Sequence, residues 1–472
     1  MVTWFCFKLL ISKDLKMKYT IKKLGMFIIA ITLLNSCESF VEVDLPNTEM
    51  TAEDVFQDKA TAEAALIESY VNLRDQVLTA GTIGGMSNLM GMYSDELINL
   101  RIGSTAEQSF FTNNITPTDS SIQRMWNDSY KIIYQCNKVI EGVTQSTGIT
   151  DSDKKQLIGE ALFTRSLVHF YLVQLFNEVP YVTTTDYRIN SKITKKSVSE
   201  LYTSMINDVL KAELLLDDAN SSNNTRPTKF ATEALLARMY LYNKDYVNAL
   251  VYSNKVIDAD FSLESSVNSV FLQESRSTIW SLKPAIEGAN TNEAMIFIFT
   301  ETPPTTRILN NNFVESFENG DLRKLYWIKE LRSNTTPYFH AYKYKEKNAT
   351  PSSKEYSVIF RLEEMYYIRI EANASLGNID VALNDWNMLR TRYKISNYTE
   401  LPNDWQKKLL LERSHEFFCE IGHRFFDLKR TGNLKMELLK TKPNWKNHYE
   451  YLPIPQSELL LNPNMLPQNE GY

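Results

Sequence analysis

Apolar residues recur at helical spacing along most of the first half of this chain. The pattern predicts helices near 59–78, 121–142, 153–176, 199–216, 228–242 and 245–258. The stretches between them carry Gly, Pro, Asn and Ser, which break helices and favour turns. Thr51-Ala52-Glu53-Asp54 places a capping hydroxyl before first-turn acids and reads as a helix start. The clearest unit is Lys229–Ile257: Leu236, Ala237 and Tyr240 on one helix, the turn Asn243-Lys244-Asp245, then Tyr246, Ala249, Leu250 and Val256. Small and aromatic residues at that spacing let two antiparallel helices pack closely, as in a tetratricopeptide repeat. Leu362–Arg392 is a second copy, with Tyr366, Ala372, the turn Gly377-Asn378, and Ala382, Leu383 and Leu389. Both copies contain Ala-Leu-x-x-x-Asn, ending at Asn254 and Asn387, 133 residues apart. A uniform tandem array is therefore excluded. The pattern divides the body into helical repeats at about 51–260 and 355–440, an insertion at about 261–354 and a tail at 441–472. Within the insertion, Ala294–Phe299 reads as a strand. The fold class is mainly α: a helix-pair scaffold with an irregular loop and short-strand insertion.

The N-terminus follows a different pattern. Lys18, Lys22 and Lys23 precede an eleven-residue apolar run, Leu24 to Leu34. That run is shorter than the roughly 20 residues a spanning helix needs and fits a signal peptide. The signal occupies 1–36, and its pattern is complete from Met17, which reads as the true start. Leu34-Asn35-Ser36-Cys37 resembles a bacterial lipobox, in which Cys37 is lipidated. An ordinary secretory signal is the alternative, but it leaves a free exposed thiol at the mature start. Glu38, Glu42 and Asp44 make residues 37–50 an acidic tether.

Composition narrows the class further. The 472 residues are 43% hydrophobic and 23% charged, with 15 Gly and 15 Pro, which excludes a disordered or collagen-like chain. The net charge of −6 is uneven: residues 1–36 carry +5, and the remaining 436 carry −11. A body that acidic is a poor binder of nucleic acid. Of four cysteines, Cys136 and Cys419 lie on predicted helices among apolar neighbours and read as buried thiols, with a disulfide as the alternative.

Several motifs invite a chemical reading. Glu412, Glu416 and Glu420 fall at i, i+4 and i+8, on one face of a single helix. Paired carboxylates can hydrolyse glycosides, but Arg413, Arg424 and Lys429 nearby point to ion pairing. His415-Glu416-x-x-Cys419 lacks the second histidine of a zincin helix. No nucleophile elbow, phosphate loop or dinucleotide fingerprint occurs, so neither a metal nor a cofactor is called for. Gly81–Gly91 reads as a loop near a ligand face.

The C-terminal third supplies an ordered set of motifs: Leu411-Glu412-Arg413-Ser414-His415-Glu416, then Gly422-His423-Arg424-Phe425-Phe426-Asp427-Leu428-Lys429-Arg430, then Leu452-Pro453-Ile454-Pro455, and finally Asn462-Pro463-Asn464 with Gln468-Asn469 and Gly471-Tyr472. Asn310–Arg323, with Phe313, Phe317, Asp321 and Arg323, precedes the last repeat. Together they resemble the SusD/RagB family of Bacteroidetes surface lipoproteins, over nearly all of 37–472. The resemblance implies a protein anchored to the outer membrane by lipid and facing the cell exterior. It implies that the protein binds a glycan or oligopeptide and passes it to a SusC-like TonB-dependent transporter. It implies no enzymatic activity. A helical-repeat lipoprotein that binds peptides or proteins as a scaffold or adhesin is the competing reading, and a glycan-active enzyme a third.

Recognition falls on loops that leave a rigid scaffold. Two loop regions carry aromatics with polar neighbours outside the repeat pattern. One follows Tyr93-Ser94-Asp95-Glu96 and contains Asn99, Arg101, Phe110 and Phe111. The other contains Trp280, Tyr326, Trp327 and Tyr338. They are expected to meet on one face, with Asn99 and Arg101 hydrogen-bonding the ligand; burial of Trp280 and Trp327 in a satellite core is the alternative. The connection between Phe299 and Phe313 has only thirteen residues. It is shorter than in many members of that family, which argues against a deep aromatic cradle.

Overall fold

The computed structural model describes residues 54–76, 78–101, 103, 105–218 and 224–472. The signal segment, Cys37, the acidic tether and the Thr51–Glu53 start signal lie outside the described residues. Within them, Asp58 caps the first helix, α1 (Lys59–Asp75), by accepting from Ala60 and Thr61 backbone N–H groups.

The first half then runs through α2 (Met86–Tyr93), β1 (Leu97–Asn99), α3 (Thr105–Phe111), α4 (Ser120–Gln145), α5 (Asp151–Phe176), α6 (Tyr187–Asn190), α7 (Val198–Leu215), α8 (Lys229–Tyr242) and α9 (Tyr246–Ile257). The helix starts follow capping chemistry. Ser197 and Glu200 form a reciprocal capping box on α7, an arrangement worth about 1 kcal/mol. The helix α5 is buried almost all round from Leu157 onward, which is why its apolar residues show no single stripe.

Next come β2 (Thr278–Leu282), α10 (Asn292–Phe297), β3 (Arg307–Leu309), α11 (Asn311–Glu315), α12 (Leu322–Trp327), β4 (Ile328–Ser333), β5 (Thr336–Ala341) and β6 (Ser357–Arg361). The strands form three antiparallel pairs, β1 with β3, β2 with β6 and β4 with β5. The expected strand at 294–299 is instead mostly helix: Thr291 accepts from the Ala294 N–H and caps α10, so a short apolar run was folded with helical rather than strand period.

The chain closes with α13 (Leu362–Leu376), α14 (Ile379–Arg392), α15 (Trp405–Phe417), α16 (His423–Arg430), α17 (Leu434–Leu438) and α18 (Gln456–Leu461). Helices pack successively as α4 on α5, α5 on α7, α7 on α8, α8 on α9, α9 on α13 and α13 on α14. The two repeat copies, separated in sequence by the insertion, are thus direct neighbours in space. Ala249 and Ala382 are fully buried where the helices of each pair approach. Gly377 closes α13 at φ +84°, a left-handed cap that favours glycine. Asn254, from the shared motif, accepts from Arg369 Nη1 at 3.2 Å and so ties one repeat to the next. Its counterpart Asn387 exchanges two hydrogen bonds of 2.8 Å with the Tyr398 backbone and fixes the following loop.

The family motifs form a buried charged layer. Arg424 pairs bidentately with Asp95 at 2.9 and 2.7 Å, joining α16 to the loop after α2. Asp427 receives Arg413 at 2.7 Å and Arg430 at 2.8 Å, and Arg430 continues to Glu371. Glu416 faces Arg361 and Arg323, and Glu420 faces Arg361 and Lys343. The expected single helix face through Glu412, Glu416 and Glu420 is corrected here. The helix α15 stops at Phe417, Cys419 turns at φ +56°, and Glu420 reaches the same cations from a loop. Cys136 and Cys419 are buried free thiols. The tail is stitched down by polar side chains: Gln468 exchanges two 2.8 Å bonds with Ile454, and Asn469 Nδ2 reaches the carbonyls of Phe176 and Leu452.

Candidate functional site

The β1–β3 pairing decides where the loops meet. It sets Asn99 opposite Arg307, and the Leu100 N–H donates to the Thr306 carbonyl at 2.9 Å. Arg101 is thereby carried to the segment that follows α10. Asn99 itself is occupied: its Oδ1 accepts the Arg101 N–H at 3.1 Å and its Nδ2 donates to Gln108 at 2.9 Å. It shapes the turn that presents Arg101.

Arg101 lines a cavity of about 460 Å³ with Ile83, Met295, Phe299, Pro304 and Lys347. A second cavity, of about 350 Å³, is lined by Arg74, Asp75, Pro284, Asn290, Met295 and Lys347. Met295 and Lys347 belong to both, so the two adjoin as one elongated groove. Met295 is largely exposed. Lys347 is held by donating to the Ile298 carbonyl at 2.8 Å, which leaves donor capacity on its ammonium group.

Behind the groove lies a buried ion cluster. Arg307 donates to the Glu107 carboxylate at 2.5 Å and to the Ile296 carbonyl. Arg101 stands 3.4 Å from the other Glu107 oxygen, and Asn88 donates to the first at 3.2 Å. Burial pushes the Glu107 pKa up, but Arg307, Asn88 and Arg101 outweigh it and hold the carboxyl below its usual range. One ionised carboxylate therefore faces two guanidinium groups.

The other expected site residues are scattered. Phe111 is half-buried, with Lys442 Nζ 4.8 Å from its ring centre, and Phe110 is core against Tyr93. Tyr326 is 38% exposed and Tyr338 is half-buried on β5; neither lines the groove. Trp280 and Trp327 are corrected: both are fully buried. Trp280 packs among Tyr70, Phe163 and Phe360, and Trp327 packs on Phe271 while its indole N–H donates to the Val267 carbonyl at 2.8 Å. Neither ring offers a face to a ligand. Sequence reasoning missed Met295, Phe299 and Lys347. Met295 and Phe299 sat in the run read as a strand, and nothing in Lys343–Ala349 marks Lys347. The Gly81–Gly91 segment contributes Ile83 and then becomes α2.

The groove combines apolar side chains with Arg101, Arg307, Lys347 and Asn290, and also carries the carboxylates of Glu301 and of Asp75, the latter paired with Arg74. Such a surface can offer apolar contact together with charge-assisted hydrogen bonds. The helical-repeat scaffold, its irregular insertion and the stitched tail define a class of helical-repeat fold. A family model described as "Starch-binding associating with outer membrane" matches residues 44–241, and the model described as "SusD family" matches 311–472. The chain belongs to the SusD/RagB family. It is 24% identical to SusD-like protein P2 of Formosa agariphila, over 94% of this chain and 99% of that one. A SusD superfamily protein from Bacteroides vulgatus superposes with a TM-score of 0.77 at 20% identity, covering 88% of this chain and all (100%) of that one. A structure described as a laminarin-binding SusD-like protein superposes with a TM-score of 0.74 at 20% identity, covering 88% and 100%.

Proposed function

We propose that this protein captures an oligosaccharide at the outer membrane and delivers it to a SusC-like TonB-dependent transporter. It does so as a lipoprotein held at the cell exterior through Cys37. The observation that carries the binding step is the groove around Met295 and Lys347. Its two adjoining cavities, of about 350 and 460 Å³, favour an extended ligand over one small molecule. Met295, Phe299, Pro304 and Ile83 supply apolar contact for ring C–H faces, and Arg101 and Lys347 supply donors for hydroxyls. The family description and the laminarin-binding relative support a glycan as the ligand class. The carboxylates that could suggest hydrolysis are engaged, Glu412 with Arg390, Glu416 with Arg361 and Arg323, and Glu420 with Arg361 and Lys343, which favours binding without turnover.

The test is calorimetry of the purified mature protein against starch and laminarin oligosaccharides, with oligopeptides as the contrasting arm. Arg101→Ala and Met295→Ala are expected to weaken binding about tenfold, equivalent to about 1.4 kcal/mol each, with unchanged melting. Peptide binding without glycan binding would overturn the ligand class. Gentle extraction followed by mass spectrometry tests delivery: a TonB-dependent barrel is expected in near-equal amount, and its absence would sink the transporter reading.

A further inference from the structure

A second cleft shares no residue with the groove. It lies between α4, the segment 180–193 and the tail, and has a volume of about 500 Å³, within the range of about 300–1,000 Å³ usual for small-ligand sites. One wall comes from Trp126, Tyr130 and Tyr134, spaced i, i+4, i+8 on α4 and so stacked along one helix face. Trp126 and Tyr130 are 4.9 Å apart, and the Tyr130 hydroxyl donates to the Pro180 carbonyl at 2.9 Å, which fixes both rings. Tyr134, 48% exposed, extends this wall to the mouth.

The facing wall is held in place by the tail. Asn462 Nδ2 donates to the Ile193 carbonyl at 2.7 Å, Asn464 Nδ2 to the Lys192 carbonyl at 3.1 Å, and Lys195 Nζ to the Pro467 carbonyl at 2.6 Å. Two polar groups bear on the interior. Asn190 spends its Nδ2 on the Thr184 carbonyl at 2.8 Å, while its Oδ1 is buried with no partner among the described residues. The Glu458 carboxylate stands half-buried beside the Trp126 indole N–H.

We infer that this cleft is a second saccharide site, which takes a neutral pyranose ring against the Tyr130–Tyr134 wall. The Asn190 Oδ1 is a buried acceptor without a partner, so the ligand must bring an O–H donor to it, while the Asn127 amide and the Ser191 and Tyr134 hydroxyls on the lining can donate to ligand oxygens. The charged lining residue, Glu458, is negative and disfavours an anionic ligand. Tyrosine faces select flat C–H surfaces. A pyranose satisfies all three requirements, whereas a purely apolar side chain would leave Asn190 Oδ1 unanswered. A second capture point on the scaffold would raise the residence of a long glycan by multivalency, without any change in the groove.

Saturation-transfer NMR tests this on the purified mature protein, with the methyl glycosides of glucose, galactose, mannose and N-acetylglucosamine as probes. At least one probe is expected to receive transfer that falls fivefold or more in Tyr134→Ala and Asn190→Ala. Tyr134→Phe is expected to retain most of it, and Arg101→Ala to leave this component in place. Leu461→Arg, at a rim position 78% exposed, obstructs the mouth without touching the core and serves if Tyr134→Ala lowers the melt. Absence of any Tyr134-dependent transfer from all four probes overturns the inference. So does transfer that disappears with Arg101→Ala, or binding confined to N-acetyl-tyrosine amide used as a peptide control.

Discussion

Arg361 Nη1 lies 2.5 Å from Glu416 Oε1, and both side chains are buried. Arg361 ends β6 and Glu416 sits in α15, so this contact joins the insertion's returning strand to the C-terminal signature. Arg323 and Arg392 add to the cationic field, and together they hold the Glu416 carboxyl well below its usual range despite burial. Glu416→Gln leaves Arg361 and Arg323 with less countercharge in a dry interior. Breaking one side of such a pair costs about 3–5 kcal/mol. Denaturant unfolding is expected to show a loss of that size, while saccharide affinity of the folded fraction stays unchanged. A variant with wild-type stability and lost affinity would move Glu416 from scaffold to site.

Trp327 and Trp280 yield a prediction of opposite sign to the one their sequence context suggests. Each fills a closed space between helices and the insertion. Trp→Ala in a core costs about 3–5 kcal/mol. Trp327→Ala also strands the Val267 carbonyl that accepts the indole N–H and removes the ring near Lys343, 5.1 Å from its centre. Thermal melting and calorimetry on the same samples are expected to show a lowered melt with unchanged affinity.

The helices were legible because their information is local. Predicted and observed bounds differ by at most three residues for the six early helices, and Asn243-Lys244-Asp245 is the turn, with Lys244 at φ +59°. The charged signature was also legible as ion pairing. Of the expected site residues Arg101 alone lines the groove, beside Ile83 of the expected Gly81–Gly91 loop, and its position depends on β1 pairing with β3 some 200 residues later. Trp280 and Tyr326 illustrate the limit. Both are aromatics outside the repeat pattern, yet one is core and the other half-exposed, because burial depends on which elements return to cover them. The α4 stripe of Trp126, Tyr130 and Tyr134 was not among the expected site aromatics, although its spacing is helical. What turns it into a wall is the tail, more than 300 residues away.

The anchor is tested at Cys37. The Lys-rich start, the eleven-residue apolar run and Leu34-Asn35-Ser36-Cys37 call for acylation. Burial of acyl chains stabilises membrane association by about 0.8 kcal/mol per CH₂, and two chains suffice for stable anchoring. Cys37→Ser is expected to abolish incorporation of labelled palmitate and to release the protein from the membrane fraction. Retention of the variant in that fraction, together with an unlabelled wild type, would rule the anchor out.

Glu293 sets a pH dependence whose direction can be worked out. It lies on α10, at the back of the groove wall, with its carboxylate against Gly81: a Cβ there would fall 2.1 Å from Glu293 Cδ. Burial raises its pKa from 4.5 to about 7; the Ser357 hydroxyl, donating at 2.8 Å, opposes the rise, and the Glu420 and Glu355 carboxylates add to it. Tyr344 also faces it. The folded pKa exceeds the unfolded one, so the folded state holds this proton more tightly. The resulting stability is fully present below pH 4.5 and is lost as the pH rises to about 7. A shift of that size corresponds to up to about 3 kcal/mol. Glu293→Gln keeps the shape and cannot ionise. Relative to wild type, the variant should therefore gain stability progressively between pH 5 and pH 8, with little difference at the acid end. Urea unfolding at several pH values measures it directly. A stability difference independent of pH would show that Glu293 stays ionised in the folded protein and would remove the basis of this prediction.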